Sequence, residues 1–132
     1  MPPYARNRHA PLTVLLVDDE ATFRETAITV LSYLGFQVLE AEDGEHALRL
    51  VQREQPALGL VIADFCMPGM DGVETLKALS ALHPGLKGIL CSGTPEQECL
   101  QGRTLEHCLY LGKPFRIKEL EAALDRVLDQ AG

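Results

Sequence analysis

The segment Leu12–Val17, with the sequence LTVLLV, decides the fold because it is apolar at nearly every position and three acidic residues, DDE, follow it at once. A run without polar alternation indicates a strand that is covered on both faces, as in a parallel sheet flanked by helices. Leu58–Ala63, LGLVIA, repeats the pattern, and Asp64 follows it. These segments predict two buried strands whose carboxyl ends are acidic.

Strands and helices are predicted to alternate along the rest of the chain. Apolar residues recur at helical spacing after four of the predicted strands, and a short, polar helix follows the other, so a strand–helix unit occurs five times with short connections. Such alternation implies a parallel sheet with helices on both faces, and five strands fit the flavodoxin-like order 2-1-3-4-5. We therefore predict an α/β fold, a flavodoxin-like (βα)5 three-layer sandwich. The three remaining strands are predicted at Phe36–Ala41, Leu86–Cys91 and His107–Leu111.

Several helix ends are marked by capping residues. Asp43 is placed to cap the second helix, and Asp71 with Glu74 resembles a capping box at the start of the third. Thr94 is predicted to cap a short, polar fourth helix that has Pro95 at its first position. The apolar stripe of the last helix is predicted at Ile117, Leu120, Leu124 and Val127.

Length and composition set the class of protein. The 132 residues suffice for one domain with a real core, and we predict a flexible tail over residues 1–11 and a domain over residues 12–130. The net charge of −7 argues against direct contact with nucleic acid or an anionic membrane, which carry the same sign. None of the 4 cysteines lies in a C-x-x-C pair, so we expect reduced, structural thiols in a cytoplasmic protein.

Polar residues follow the predicted strands where ligands bind in such a sheet, at the carboxyl ends. Asp18 and Asp19 follow the first strand, Asp64 the third, Ser92 the fourth and Lys113 the fifth. Three carboxylates brought together repel one another, and a hard divalent cation such as Mg²⁺ relieves that repulsion. Asp18 or Asp19 could instead cap the first helix, but that would explain only one of the two acids.

Asp64 is the candidate nucleophile. A carboxylate at the end of an apolar strand is costly without a partner or a task, and Asp71 already serves as the cap of the next helix. A carboxylate can attack a phosphoryl group to give an acyl phosphate. The hydroxyl of Ser92 and the ammonium of Lys113 can hold the phosphoryl oxygens. A serine after a strand is usually a turn or cap residue, but Thr94 is better placed as the cap here, so we expect the Ser92 hydroxyl to be free.

Four motifs in the chain resemble the CheY-like receiver domains of two-component response regulators, over about residues 12–130. Each motif lies at the end of a predicted strand, and their order is that of the family. They are LLVDDE at Leu15–Glu20, VIADFCMPGMDG at Val61–Gly72, LCSG at Leu90–Gly93 and LGKPF at Leu111–Phe115.

The resemblance implies a phosphoacceptor and a metal site. Asp64 would take a phosphoryl group from the phosphohistidine of a sensor histidine kinase or a phosphotransfer protein. Mg²⁺ would be bound by Asp19, Asp64 and the backbone carbonyl of Cys66, with Asp18 acting mainly through water. Lys113 would pair with the phosphoryl oxygens. Such a domain catalyses only its own phosphorylation and dephosphorylation.

The resemblance also implies a switch. Ser92 would turn its hydroxyl toward the phosphoryl group and Tyr110 would follow it inward. The face built from the fourth helix, fifth strand and fifth helix would then change shape for a downstream partner, or for a second copy in a homodimer. The bond between Lys113 and Pro114 is expected to be cis.

Other protein classes share parts of this pattern. A flavodoxin-like cofactor protein would need a hydroxyl-rich phosphate loop where this chain has Asp18 and Asp19. A haloacid-dehalogenase-type phosphatase would carry a D-x-D pair there, whereas these two acids are adjacent. A degenerate receiver used only as a scaffold would not be expected to keep Asp64, Ser92 and Lys113 together. The chain is either a stand-alone receiver or part of a larger regulator or hybrid kinase.

Overall fold

Five parallel strands form a single sheet in the order β2-β1-β3-β4-β5. A computed structural model describes residues 12–129; the predicted tail over residues 1–11, and residue 130, lie outside them. The strand order confirms the predicted flavodoxin-like topology. The strands are Thr13–Val17 (β1), Gln37–Ala41 (β2), Leu60–Asp64 (β3), Lys87–Ser92 (β4) and Cys108–Gly112 (β5). The helices are Ala21–Tyr33 (α1), Gly44–Glu54 (α2), Gly72–Leu82 (α3), Glu96–Leu100 (α4) and Ile117–Leu128 (α5).

Side chains of β1 alternate between two hydrophobic clusters, one on each face of the sheet. Val14 and Leu16 pack in the cluster covered by α1 and α5, and Leu15 and Val17 pack in the cluster covered by α2, α3 and α4. Burying each such side chain stabilises the fold by about 1.5–3 kcal/mol. Two apolar faces explain why the sequence of β1 is continuously apolar.

The strand register brings the candidate site residues to one edge of the sheet. Val17 is paired with Ala63, so the residues after β1 lie beside the end of β3. Asp64 is paired with Cys91 and is the last residue of β3. Ser92 likewise ends β4. Both strands therefore run one residue beyond the predicted ends, which fixes the backbone of these two site residues in the hydrogen-bonded ladder.

Two of the three predicted helix caps are confirmed. The carboxylate of Asp43 accepts a hydrogen bond of 2.8 Å from the backbone N–H of His46. At α3 the carboxylate of Asp71 accepts one of 2.8 Å from the N–H of Glu74, and the carboxylate of Glu74 accepts one of 3.0 Å in return. The predicted cap Thr94 is wrong. Helix α4 begins after Pro95 and has no side-chain cap.

The prediction that Ile117 belongs to the buried apolar stripe of α5 is also wrong. Leu120, Leu124 and Val127 are buried as expected, but Ile117 is 53% exposed. Ile117 is the first residue of α5, and its side chain lines a cavity between α1 and α5 instead of packing in the hydrophobic cluster. The Lys113–Pro114 bond that leads into this loop is cis, which confirms the expectation drawn from the family resemblance. Between residues 12 and 129, no helix combines the length and apolar character needed to cross a bilayer.

Candidate functional site

The acidic cluster, defined as Asp18, Asp19 and Asp64, lies at the carboxyl ends of β1 and β3. Each residue offers a carboxylate oxygen, and these oxygens all lie within 4.8 Å of one another. Asp18 is buried, Asp19 is exposed, and the side chain of Asp64 is 12% exposed. Hard oxygen ligands at this spacing, with one side open to solvent, fit a divalent cation such as Mg²⁺.

The carboxylate and the backbone carbonyl of Asp18 both accept hydrogen bonds. Its Oδ1 accepts a hydrogen bond of 2.8 Å from the N–H of Glu20, and its Oδ2 lies 3.2 Å from Nζ of Lys113. The backbone carbonyl of Asp18 accepts a bond of 2.6 Å from Nη1 of Arg24, whose Nε also donates to Glu40. Both carboxylate oxygens of Asp18 therefore have donors, which leaves the more exposed acids freer to bind a cation.

Lys113, which directly follows β5, joins the acidic cluster. Its Nζ lies 2.9 Å from Oδ1 of Asp64 and 3.2 Å from Oδ2 of Asp18. Burial lowers the pKa of Lys113, but the hydrogen bond and charge of Asp64, together with Asp18, outweigh burial and raise the pKa overall. The ammonium is therefore charged throughout the neutral range and compensates part of the negative charge.

Asp64 is ionised at a cost. Burial is the largest influence on the pKa of its carboxyl group and raises it, the hydrogen bond and charge of Lys113 lower it, and the net shift is upward. Repulsion from Asp18 and Asp19 acts in the same direction as burial. A divalent cation in the acidic cluster would offset this excess negative charge. The electrostatics and the oxygen ligands of the cluster therefore both favour a divalent cation.

The two predicted switch residues contact the same loop. Ser92 is buried, and its Oγ accepts a hydrogen bond of 2.8 Å from the N–H of Thr94. The hydroxyl of Tyr110 is within hydrogen-bonding distance of the backbone carbonyls of Ser92, at 3.1 Å, and of Thr94. The expectation that a capping Thr94 leaves Ser92 unengaged is therefore wrong, although the serine keeps its own hydrogen for a new acceptor.

The structure brings five of the predicted site residues together, and it adds two others. Asp18, Asp19, Asp64 and Lys113 meet directly. Ser92 is paired with Gly112, the residue before Lys113, and its backbone carbonyl accepts a hydrogen bond of 2.7 Å from the N–H of Lys113. Cys66 is exposed and lies two residues after Asp64. The predicted role of its backbone carbonyl as a metal ligand stays a prediction.

Sequence reasoning missed Phe23 and Arg24, both on the first turns of α1. The ring of Phe23 lies under the ammonium of Lys113, with Nζ 4.0 Å from the ring centroid, and Arg24 anchors the carbonyl of Asp18. In the sequence, Phe23 recurs at helical spacing with Ala27 and Leu34 in an apolar stripe, and Arg24 belongs to no motif. The contacts of these two residues with the site can be seen only in the structure, where α1 approaches the ends of the strands.

Comparison with known proteins agrees with this geometry. Residues 14–125 match the family model described as response regulator receiver domain. The solved Vibrio cholerae chemotaxis protein CheY4 is 30% identical, with a TM-score of 0.81 over 90% of this chain and 100% of that one. Sporulation initiation phosphotransferase F of Bacillus subtilis is 32% identical over 116 residues, which are 87% of this chain and 92% of that protein.

Larger proteins also contain a related segment. The probable transcriptional regulatory protein TcrX of Mycobacterium tuberculosis is 32% identical over 123 residues, which cover 92% of this chain but 52% of TcrX. The chain thus spans about half the length of this relative. Because the family model covers every strand of the sheet and both acidic strand ends, the chain belongs to the response regulator receiver domain family of two-component systems.

Proposed function

We propose that this receiver accepts one phosphoryl group on Asp64, with Mg²⁺ held by the acidic cluster. The observation that carries the proposal is the position of Lys113, whose ammonium contacts Asp64 and Asp18 at once. An ammonium there can neutralise a phosphoryl oxygen attached to Asp64 without leaving the site. The phosphoryl donor would be the phosphohistidine of a sensor histidine kinase or of a phosphotransfer protein.

The proposed transfer is a displacement at phosphorus. A carboxylate oxygen of Asp64 attacks the phosphorus atom, the P–N bond to the donor histidine breaks, and its electron pair stays on the imidazole, which takes up a proton. Lys113 and the hydroxyl of Ser92 each donate to an oxygen of the transferred group. Mg²⁺, when bound by Asp19, Asp64 and the carbonyl of Cys66, would neutralise the meeting anions.

The domain would also catalyse the loss of its phosphoryl group. Water attacks the phosphorus atom, the P–O bond to Asp64 breaks and its electron pair restores the carboxylate, and inorganic phosphate leaves with the oxygen and protons of the water. Lys113 and Ser92 would hold the phosphoryl oxygens during this hydrolysis as they do during phosphorylation. The only substrate of this chemistry is then the domain's own aspartate, so we do not assign it turnover of free phosphate esters.

Phosphorylation would reach a partner through the loop that contains Ser92 and Thr94. A phosphoryl group adds close to two negative charges and new acceptors. Because Oγ of Ser92 now accepts from the N–H of Thr94, a turn of the serine toward the phosphoryl group changes the loop to which Tyr110 is bonded. The readout would be the face of α4, β5 and α5, presented to a downstream protein or to a second copy.

The proposal extends to the location of the protein, the boundaries of the domain and the length of the whole protein. A cytoplasmic location would give the domain access to kinase domains and to Mg²⁺. We keep residues 12–130 as the proposed boundaries of the receiver. The partial match to TcrX is compatible with a longer regulator, and the near-complete match to the sporulation phosphotransferase with a stand-alone receiver.

The test uses acetyl phosphate as the donor with Mg²⁺, followed by intact mass. The native chain should gain roughly 80 Da, the mass of one phosphoryl group on one side chain. Asp64→Ala should gain nothing, whereas Glu25→Ala, which removes an exposed acid on α1, should label like the native chain. Labelling of Asp64→Ala, or no labelling of the native chain, would contradict the proposal. Repeated hydrolysis of a phosphomonoester would favour the phosphatase alternative.

A further inference from the structure

The ring of Phe23 is the apolar neighbour of the Lys113 ammonium. Nζ of Lys113 lies 4.0 Å from the ring centroid, within the range of an attractive cation–π contact. The ring of Phe23 packs in turn against Phe115, since the two ring centroids are 5.9 Å apart and the planes are nearly perpendicular at 89°. Perpendicular aromatic pairs at this distance are favourable.

The ammonium is thus held from two sides by different kinds of group. On one side are the carboxylates of Asp64 and Asp18, and on the other is the ring face. A divalent cation in the acidic cluster would compete with the ammonium for the same carboxylates and would repel it. The ring face is uncharged and takes no part in metal binding, so its attraction for the ammonium remains when the carboxylates are occupied.

We propose that Phe23 is a positioning residue for Lys113, whose ring face keeps the ammonium beside Asp64 after a divalent cation has entered the acidic cluster. The inference rests on the proposed function. A lysine held in place does not have to be immobilised again when the phosphoryl group arrives, and such pre-positioning lowers the barrier to transfer. Phe115 contributes by locking the orientation of the Phe23 ring.

Simple apolar packing and a cation–π contact predict different effects of substitutions at position 23. Phe23 also lines a cavity between α1 and α5, together with Pro114, Phe115 and Ile117. An aliphatic residue at position 23 could still form an apolar wall there. The electron-rich face, however, is specific to an aromatic ring, and ring fluorination weakens that face with little change in volume.

The experiment replaces Phe23 site-specifically with phenylalanine that carries one, two or three ring fluorines. The rate of phosphorylation by acetyl phosphate is measured at saturating Mg²⁺ by intact mass. The side-chain methylene protons of Lys113 are followed by NMR as Mg²⁺ is added; they should keep the upfield shift caused by the face of the Phe23 ring, and loss of that shift would overturn the inference. The logarithm of the rate should fall stepwise with fluorine number, to a total loss of about 2- to 30-fold, as expected for a cation–π contact of ordinary strength. Phe23→Tyr should stay near the native rate, and Phe23→Leu should lose at least as much as the trifluorinated ring.

Two controls separate positioning from structure. The same fluorinated residues at Phe36, which is buried in the same hydrophobic cluster at the opposite end of the sheet, should leave the rate unchanged. In a Lys113→Met background no cation faces the ring, so the fluorine trend at position 23 should disappear. If Phe23→Leu does not fold, the fluorinated series still decides the question.

The outcomes distinguish this inference from the proposed function. A native chain that labels on Asp64, with rates that are flat across the fluorinated series, would overturn the role of Phe23 and leave the phosphoacceptor intact. A trend that persists in the Lys113→Met background would overturn it as well. A native chain that does not label at all would overturn the proposed function itself.

Discussion

Replacing Lys113 with methionine should destabilise the metal-free domain and tighten its binding of Mg²⁺. The side chain keeps most of its length and apolar character, but the charge disappears. Asp18, with a side chain 2% exposed, and Asp64, at 12%, then lose their nearest positive charge. Ionised carboxylates in such positions are costly without a partner.

The magnitude follows from the geometry. At separations of 2.9 and 3.2 Å, each ion pair has a gross Coulomb attraction of about 5 kcal/mol at an effective dielectric constant of about 20. Desolvation of the ammonium offsets much of this attraction, and its side chain remains 24% exposed. We expect a net loss of about 2 kcal/mol, between the values typical of surface and fully buried pairs. For a domain of this size the loss lowers Tm by about 8 °C.

Magnesium should reverse most of that loss. Without the ammonium, the cation enters a cluster with one more uncompensated negative charge and meets no positive neighbour. We expect Kd for Mg²⁺ to fall about tenfold, which corresponds to about 1.4 kcal/mol of the lost stability. The gain in Tm on adding Mg²⁺ should therefore be larger for the variant than for the native chain.

The assay combines thermal unfolding in EDTA, thermal unfolding in saturating Mg²⁺ and calorimetric titration of Mg²⁺. Lys118→Met is the matched control, because it makes the same chemical change at an exposed position on α5. It should change Tm and Kd little. If Lys113→Met leaves Tm unchanged in EDTA, or binds Mg²⁺ more weakly than the native chain, the electrostatic account of the site is refuted.

Three further variants test the surroundings of the site by chemical denaturation. Gly72→Ala should cost about 2–3 kcal/mol, because the new Cβ would lie 2.5 Å from the backbone oxygen at the end of β3; native stability would refute the close packing there. Gly93→Ala should keep or raise stability, by up to about 1 kcal/mol, because the new Cβ meets nothing nearer than 4.0 Å; a clear loss would contradict this. Arg103→Gln removes an ion pair with Asp71 and two bonds to the last carbonyls of α4, so it should cost about 1–2 kcal/mol and speed amide exchange in α4. The exposed control Arg53→Gln should cost less than about 0.5 kcal/mol, and equal losses for the two arginines would argue against the role of Arg103.

The sequence was sufficient for the topology because the strands are apolar on both faces. Continuous apolar runs such as Leu60–Ala63 are compatible with few structures besides a covered parallel strand. Once the order of strands is known, the position of Asp64 beside Asp18 follows from the register. The acidic cluster was predictable for that reason, without knowledge of any side-chain conformation.

Predictions that depended on competition between polar groups were less successful. Thr94 has the sequence context of a helix cap, yet its N–H donates to Ser92 and its carbonyl accepts from Tyr110. Local capping preference is worth only about 1 kcal/mol, so contacts from a neighbouring strand can override it. Phe23 was missed for a related reason, since an aromatic residue in an apolar stripe gives no sign that a lysine that follows β5 will lie on its face.

The hydrophobic clusters on the two faces of the sheet stabilise the fold against the unfavourable charge of the acidic cluster. Three carboxylates and one ammonium leave an excess of negative charge at the strand ends, and burial adds to the cost of ionising Asp64. That cost opposes folding, so it must be offset elsewhere, and the fully buried side chains of β1 and β3 supply the required apolar burial on both faces. A neutral residue in place of Asp64 would lower this cost, but it would remove the group that we propose binds a cation and accepts the phosphoryl group. The unfavourable charge is thus a property that the proposed function requires, and the stability of the sheet is what allows the domain to keep it.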